Sequence, residues 1–371
     1  MVAGEASGDM HGADLAAQIL ARDPSCDLFG IAGQRMRTAG VRALYNMEDL
    51  VGFGVTELTT TIRQSIGALR ALVRMVKRQP PDLAILIDFA EFNLIFSRTA
   101  KRAGVPVLYY ITPQVWAWRR GRVRKIIERT DRMAVVFPFE ADLYAKAGSR
   151  VTFVGHPLLD RVHPAQPRKE TLARHQLPPA SRLITILPGS RRSEIGFLLQ
   201  PMVEAARVMA RDHGFVPCLA LAPTLGESDL KAVYGADLDD IRIIKEDSYS
   251  VVAASEVALV ASGTATLETA LLECPMVIAY KLKPISYLVA WTLVTGVKNI
   301  GMPNILAGRT IVPELIQSQV TASNLVRAAE DLLIESNRRK MVDELKTLRT
   351  ALGAPGAPAR VAQIALDMIH D

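Results

Sequence analysis

The octapeptide Leu-Pro-Gly-Ser-Arg-Arg-Ser-Glu at 187–194 carries groups suited to binding phosphate. It follows the apolar run 183–187 and precedes an apolar-periodic segment, so the pattern predicts strand, tight turn and helix. Gly189 allows close backbone approach, Ser190 can donate a hydrogen bond, and Arg191 offers a planar fork at a helix N-terminus. We interpret the loop as a diphosphate cradle. The alternative is an ordinary turn with solvated arginines.

A second loop, 261–268, has the same predicted geometry, because it follows the apolar run 257–260 and precedes a helix extending to Cys274. Its small polar residues suit a phosphate at a helix N-terminus: Ser262, Gly263, Thr264 and Thr266. Glu268 could accept hydrogen bonds from a ribose diol. The alternative is that Glu268 only complements the helix dipole.

Composition restricts the class of protein. The 371 residues are 49% hydrophobic and only 6% aromatic, which favours two α/β domains over a disordered chain or a β-sandwich. The net charge of +6 favours an acidic partner, whether anionic lipid, nucleic acid or a phosphorylated substrate. Three dispersed cysteines without metal-type spacing suit a reducing cytoplasm. The apolar stretch 285–297 is too short to span a bilayer and is interpreted as a buried or interfacial helix.

The N-terminal segment 1–9 is a Gly-rich turn that opens a helix through about Arg22. We expect it to form another ligand loop, with these contacts: Gly4, Ser7, Gly8 and Asp9. A doubly wound domain should place a buried strand of about five residues before such a loop, and here only three residues precede it. Either the chain start is truncated or the sheet is short at its centre, and we favour truncation.

Asp88 directly follows the buried run 83–87. A carboxylate at the C-terminal edge of a parallel strand points into the crevice where such sheets bind ligands. We therefore predict Asp88 as a general base, with Glu91 as a weaker second candidate. The alternative is that Asp88 caps the following helix.

The segment 55–76 is predicted to be an amphipathic helix with apolar residues every three or four positions. The apolar stripe comprises Leu58, Ile62, Ile66, Leu69, Val73 and Val76, and the adjacent basic arc comprises Arg63, Arg70, Arg74, Lys77 and Arg78. Such a face could lie on anionic lipid. A core-facing helix with a solvated basic side is the commoner alternative.

Two further groups have weaker interpretations. Trp116 and Trp118 precede a run of basic residues that could stack on nucleic acid or lie at an interface, although such tryptophans more often pack. His156 could contact phosphate or be a satisfied structural histidine.

The strand and helix pattern divides the chain into a domain at 1–160, a linker at 161–181, a second domain at 182–345 and a C-terminal helix at 346–371.

Seven loops together resemble, in order, those of the lipid-A-disaccharide synthase family. They lie at 2–9, 87–88 with 92–93, 114–118, 155–157, 187–191, 262–268 and 303–309. The resemblance implies a B-type glycosyltransferase fold, with two Rossmann-like, doubly wound α/β domains facing a cleft and a last helix that returns to the first domain. It adds Asn93, Asn304 and Arg309 to the expected substrate contacts. Glu91 departs from the family, which often has Asp there.

The resemblance also implies the reaction. The family transfers 2,3-diacylglucosamine from its UDP conjugate to 2,3-diacylglucosamine 1-phosphate, with inversion to a β-1,6 disaccharide. Asp88 would be the base, Arg191 would stabilise the departing diphosphate, and Glu268 would bind the ribose. We expect no metal, no other cofactor and no nucleic acid. Acylated substrates favour peripheral binding to the cytoplasmic face of the inner membrane of a Gram-negative bacterium, and a homodimer is compatible with the resemblance.

Three competing functions share parts of this pattern. Another enzyme of this fold acting on UDP-sugars, either a UDP-N-acetylglucosamine 2-epimerase or the lipid-linked peptidoglycan glucosaminyltransferase, would use similar loops. A non-catalytic nucleotide-sugar binder at the membrane would bind UDP without forming product. Nucleic-acid binding rests only on charge and the Trp/Arg patch.

Overall fold

A computed structural model describes residues 1–50, 58–113, 120–235, 238–282 and 299–370, and the side chains of 58–62 and 120 lie outside that description. The described chain forms two compact units. Unit 1 contains residues 1–160 and 352–371, and unit 2 contains residues 161–351.

Unit 1 is built on a seven-stranded parallel sheet, counted over the described ranges, in the order β3-β2-β1-β4-β5-β6-β7. Its inner strands are almost wholly apolar because helices cover both faces of such a sheet. The strands are β1 Val2–Ala3, β2 Phe29–Ala32, β3 Arg42–Asn46, β4 Ala84–Ile87, β5 Val107–Tyr110, β6 Arg132–Val135 and β7 Val151–Phe153.

The helices of unit 1 alternate with these strands, and the last of them comes from the end of the chain. They are α1 Ala6–Arg22, α2 Gln34–Thr38, α3 Leu58–Arg78, α4 Ala90–Arg102, α5 Val123–Ile127, α6 Pro138–Lys146 and α15 Ala357–His370. Helix α15 packs on α1. Arg360 on α15 donates to the carbonyl oxygen of Val154 through Nε at 2.9 Å and Nη2 at 2.8 Å, which anchors the returning helix to the end of β7.

Unit 2 repeats the architecture with a six-stranded parallel sheet, again over the described ranges, in the order β10-β9-β8-β11-β12-β13. The strands are β8 Arg182–Leu187, β9 Phe215–Ala220, β10 Arg242–Ile244, β11 Val257–Ala261, β12 Met276–Tyr280 and β13 Glu314–Ile316. The helices are α7 Arg168–Arg174, α8 Arg192–His213, α9 Glu227–Tyr234, α10 Ser248–Ala254, α11 Thr264–Leu271, α12 Met302–Ala307, α13 Ala322–Asp331 and α14 Glu335–Ala351.

Each sheet reverses its strand order at one place. In unit 1 the chain winds outward in one direction from β1 and in the other from β4, and Ala3 lies beside Ile87. In unit 2 the reversal lies between β8 and β11, where Leu187 lies beside Val260. In sheets of this kind, ligands bind in a crevice outside the carboxyl ends of the strands where the order reverses.

Some element boundaries differ from the sequence prediction. The strand expected before the first Gly-rich loop is present, but β1 has only two residues at the centre of its sheet. Residues 161–181 are part of unit 2 and contain α7, and the segment returning to unit 1 begins at Leu352 rather than at 346. The sequence pattern did not predict β2, β3 and β13, which have three to five residues each, and β3 and β13 also lack a continuous apolar run.

Helix α3 shows which of its faces packs on the core. Its buried line is Ala68, Leu72 and Val76, one turn apart, and Leu69 packs beside them. The predicted apolar stripe therefore lies closer to solvent than the line of residues that is actually buried. Ile66, which belongs to the predicted stripe, is 43% exposed at the border of the basic arc. Among the described residues, no helix combines the length and apolar character needed to cross a membrane.

Candidate functional sites

The first candidate site lies at the carboxyl ends of β1 and β4 in unit 1. The loop after β1 contains Gly4, and a Cβ there would overlap the Phe89 ring that follows β4. Gly8, at the start of α1, is buried against Ala3 and the carbonyl of Ile87. Glycine at position 4 therefore lets the first loop lie directly against the residues that follow β4, whereas a Cβ at Gly8 would make only ordinary contacts.

Asp88 occupies an unusual backbone position at this edge. Its φ is 48° and that of Phe89 is 49°, so two consecutive non-glycine residues have the left-handed conformation. The Asp88 amide donates to the carbonyl of Tyr110 on the neighbouring strand at 3.2 Å. The N-cap position of α4 is Phe89, so Asp88 does not occupy the capping position that the alternative interpretation required.

The Asp88 carboxyl is partly accessible and its pKa is raised to about 6. Burial is the main cause, since it disfavours the charged form, and the negative charge of Glu5 adds to it. Glu5 follows β1, so the two carboxylates leave adjacent strands. A carboxylate with a pKa near 6 is a better proton acceptor than an ordinary aspartate while still being ionised at neutral pH.

The second candidate site lies at the carboxyl ends of β8 and β11 in unit 2. After β8, Gly189 has φ 114°, and the loop turns directly into α8. The backbone amides of Ser190 and Arg191 donate to Glu194 Oε2, at 2.9 and 3.3 Å. These amides thus hold an internal carboxylate where the sequence predicted a ligand phosphate.

The side chain of Arg191 remains directed to solvent at this helix N-terminus. It is 64% exposed, and its Nη1 lies 3.5 Å from Glu194 Oε1. An exposed ion pair of this kind contributes little to stability. The Arg191 guanidinium thus lies largely exposed at the N-terminus of α8.

The loop after β11 supplies the second wall of this site. Gly263 and Thr264 are exposed at the start of α11, whereas Thr266 is fully buried and donates to the carbonyl of Gly263 at 2.7 Å. Ser262 donates to the carbonyl of Ile300 at 3.4 Å. Gly263 and Thr264 thus remain the accessible part of this loop, and Thr266 shapes it from inside.

Glu268 is oriented by a residue that the sequence did not identify. The Tyr249 hydroxyl donates to Glu268 Oε1 at 2.8 Å, and burial raises the pKa of the carboxyl while this hydrogen bond lowers it. Glu268 lies beyond the first turn of α11, so the helix-dipole interpretation does not apply. Tyr249 begins the helix after β10, and only the strand order reveals that this position faces α11.

Three predicted substrate contacts have structural roles. Both Asp9 oxygens accept backbone amides at the start of α2, each at 3.0 Å. Asn93 is fully buried and donates to the carbonyl of Asp88 at 2.8 Å. Asn304 is fully buried within α12 rather than in a ligand loop. Its side-chain amide forms hydrogen bonds with backbone groups and with the Glu314 carboxylate. All three side chains therefore form hydrogen bonds within the protein, and their direct contact with substrate stays a prediction.

Arg309 is also engaged within the protein. Its Nη2 donates to both carboxylate oxygens of Glu344 on α14 at 2.6 Å, although the side chain is 57% exposed. His156 is buried, accepts the Leu158 amide at Nδ1, and has a pKa lowered to about 3 by burial. It is neutral at physiological pH, which corresponds to the structural interpretation.

Other predictions are only partly covered by the structure. Glu91 pairs with Arg122, and its role as a second base stays a prediction. Ser7 is partly exposed in α1, close to the first loop. The predictions for Trp116, Trp118 and segment 285–297 lie outside the described residues, as do the side chains of Leu58 and Ile62. Over the described ranges, no cluster of three or more His, Cys, Asp or Glu could hold a metal ion.

Comparison with known proteins identifies the family. The profile of the family described as lipid-A-disaccharide synthetase matches residues 1–367. The chain belongs to this family. The lipid-A-disaccharide synthase of Syntrophus aciditrophicus is 44% identical over 372 residues, covering 100% of this chain and 97% of the relative. That of Geobacter metallireducens is 43% identical over 371 residues, covering 100% and 96%. Membership makes this chain a hexosyltransferase that forms the lipid A disaccharide.

Solved structures support the B-type glycosyltransferase fold. The calicheamicin glycosyltransferase has a TM-score of 0.63 at 16% identity, covering 99% of this chain and 96% of that one. A UDP-GlcNAc 2-epimerase from Neisseria meningitidis has a TM-score of 0.59 at 12% identity, covering 98% and 97%. Identities this low establish the fold alone, so the epimerase likeness does not favour epimerase activity.

The raised pKa of Asp88 makes stability depend on pH. The folded carboxyl, with a pKa of about 6, holds its proton more tightly than the unfolded one near 3.9, so its contribution is present below pH 4 and lost as pH rises through 6. Asp88→Asn removes this loss. The difference in the free energy of unfolding, variant minus wild type, should therefore increase by about 2 to 3 kcal/mol from pH 4 to pH 8, as measured by urea unfolding.

The matched control for this measurement is Asp82→Asn, which changes an exposed carboxylate ahead of β4. We expect it to leave the difference from wild type within about 0.5 kcal/mol at both pH values. An Asp88→Asn variant whose stability relative to wild type is the same at pH 4 and pH 8 would show that the carboxyl titrates normally.

Proposed function

We propose that this chain transfers 2,3-diacylglucosamine from UDP-2,3-diacylglucosamine to the 6-hydroxyl of 2,3-diacylglucosamine 1-phosphate. The products are the β-1,6 lipid A disaccharide 1-phosphate and UDP. The observation that carries the proposal is the placement of the reactive groups. Asp88 lies at the switch point of one sheet, and Arg191 and Glu268 lie at the switch point of the other. A bisubstrate reaction needs a base for one substrate and an anion site for the other.

Asp88 acts as the general base in this proposal. Its carboxylate takes the proton of the acceptor 6-hydroxyl while that oxygen attacks the anomeric carbon of the donor. The bond between the anomeric carbon and the diphosphate oxygen breaks, and its electron pair leaves with UDP. One displacement inverts the anomeric centre, so a single base is enough.

Arg191 and the N-terminus of α8 stabilise the diphosphate as it departs. The exposed guanidinium can form paired hydrogen bonds to phosphate oxygens. Displacement of the Glu194 carboxylate by the diphosphate would make the amides at the helix N-terminus available to the same anion. These cationic groups can do the work of a divalent ion, so we propose a reaction without a metal. Activity that persists in excess chelator is the corresponding expectation.

Glu268 binds the ribose of the donor in this proposal. One of its oxygens accepts the Tyr249 hydroxyl, which leaves the other for a sugar hydroxyl. The exposed Gly263 and Thr264 lie one turn earlier on the same helix, so they can approach the phosphates. Ribose and diphosphate would thus be bound by successive turns on one face of this helix.

Disaccharide formation by the wild type and by Asp88→Asn tests this function. Both acylated substrates are incubated with each protein in detergent micelles, with chelator present, and the product is followed by mass spectrometry. The wild type should form one disaccharide per UDP released, and the variant should be slower by at least about 100-fold. Asparagine has nearly the same shape as aspartate, so the variant should fold and bind UDP as the wild type does. Both properties are measured as the control.

Each other result has a defined meaning. Equal rates for both proteins would place the base elsewhere. Release of UDP from the donor without the acylated acceptor would favour an epimerase or hydrolase. UDP binding with no product from folded wild type would favour a non-catalytic binder, and a requirement for added divalent metal would contradict the metal-independent mechanism.

We further propose that the protein works at the cytoplasmic face of the inner membrane, bound through α3. Five basic side chains on this helix are exposed: Arg63, Arg70, Arg74, Lys77 and Arg78. Ile66 is exposed beside them and Val73 is partly exposed, whereas Leu69 packs on the core. The contact is therefore mainly electrostatic, since little apolar surface remains to insert.

Charge reversal on α3 tests the membrane contact. A variant with Arg70→Glu, Arg74→Glu and Lys77→Glu should lose most of its co-flotation with vesicles containing phosphatidylglycerol. The control reverses three exposed lysines of unit 2, Lys231, Lys340 and Lys346, which gives the same net charge. Equal flotation of both variants would mean that net charge alone, not α3, governs lipid binding.

A further inference from the structure

The turn that carries Asp88 is conformationally strained. Asp88 and Phe89 both have positive φ, 48° and 49°, and neither is glycine. Each such residue is strained relative to an ordinary conformation, and the strain is larger for a bulky residue such as Phe. Strain of this kind persists only where surrounding contacts hold it in place.

Two buried side chains hold the carbonyl between these residues. The Tyr109 hydroxyl donates to the carbonyl oxygen of Asp88 at 2.8 Å, and Asn93 Nδ2 donates to the same oxygen at 2.8 Å. Tyr109 is on the neighbouring strand β5, and Asn93 is on the first turn of α4. One oxygen is therefore fixed from two different elements, which uses both of its lone pairs.

Both donors are completely enclosed. Tyr109 and Asn93 are 0% exposed, so water cannot replace either hydrogen bond without a structural change. Burial raises the pKa of the Tyr109 hydroxyl well above its usual value, so the group remains a donor at every pH at which the enzyme is folded. Without these donors the Asp88 carbonyl, which lies in a part-buried position, would lose both of its hydrogen bonds within the protein.

We propose that Tyr109 and Asn93 are positioning residues that hold the strained Asp88 turn and so aim its carboxylate into the crevice. Without them the peptide between Asp88 and Phe89 can rotate toward an ordinary conformation, and the Cα–Cβ bond of Asp88 rotates with it. An error of about 1 Å in a reacting group can lower a rate about 100-fold. The inference rests on the proposed role of Asp88 as the base.

The neighbouring residue provides a matched comparison. Tyr110 follows Tyr109 on the same strand and is equally buried, but its hydroxyl points to the opposite face of the sheet. Within the described residues, that hydroxyl has no hydrogen-bond partner. Tyr110→Phe therefore removes a buried tyrosine hydroxyl without touching the Asp88 carbonyl.

The experiment compares Tyr109→Phe with Tyr110→Phe in the full chain. For Tyr109→Phe we expect kcat to fall at least about 10-fold and the KM values of both substrates to stay within about twofold, because binding groups are untouched. The carboxyl resonance of Asp88, assigned by its absence in Asp88→Asn, should titrate at lower pH than in the wild type as the carboxylate turns to solvent. Tyr110→Phe should match the wild type in all three measurements.

The titration is made without substrate, so it tests the positioning role separately from the reaction. An unshifted Asp88 titration in folded Tyr109→Phe overturns the proposal, as does an equal loss of kcat in Tyr110→Phe. Asn93→Ala removes the other donor and should shift the titration in the same direction, which covers a failure of Tyr109→Phe to fold. Absence of product from wild type would refute the proposed function, while a shifted titration would still support the positioning role.

Discussion

A buried parallel sheet can expose polar groups only where its strands end, and the other features of this protein follow from that constraint. Helices cover both faces of each sheet, so the strands are apolar and the chemistry is confined to their carboxyl ends. Where the strand order reverses, between β1 and β4 and between β8 and β11, sheets of this kind bind ligands in a crevice outside the strand ends. All four loops at these two places carry residues that the family resemblance marks as functional.

The two sites, one at the carboxyl ends of β1 and β4 and the other at those of β8 and β11, satisfy opposite electrostatic requirements. Around Asp88, burial and the nearby charge of Glu5 raise the pKa of the carboxyl, which makes it a stronger base. Around Arg191, a helix N-terminus and an exposed guanidinium favour negative charge, and Glu194 already accepts from two backbone amides there. The base and the anion site thus come from two separately folded units, and the proposed displacement uses one group from each.

The sequence predicted much of the fold because buried strands and Gly-rich turns leave clear patterns. The apolar run 183–187 forms β8, and the helix predicted to extend through about Arg22 ends at that residue. The hydrogen-bond partners of side chains were harder to predict. Asn93, Asn304 and Asp9 are of residue types that often bind ligands, yet they form hydrogen bonds with backbone groups elsewhere in the chain. Tyr109 and Tyr249 could not be found at all, since their roles depend on strand order rather than on neighbouring residues.

The central claim is that Asp88 is the base and that its surroundings set its proton affinity. The pH dependence of kcat/KM for disaccharide formation tests it most directly, because this profile reports the free enzyme's essential base. The account predicts an ascending limb with a midpoint near pH 6, following the pKa of about 6 for this carboxyl. A limb near pH 4, the ordinary value for an aspartate, or a profile that is flat from pH 4 to pH 8, would contradict it.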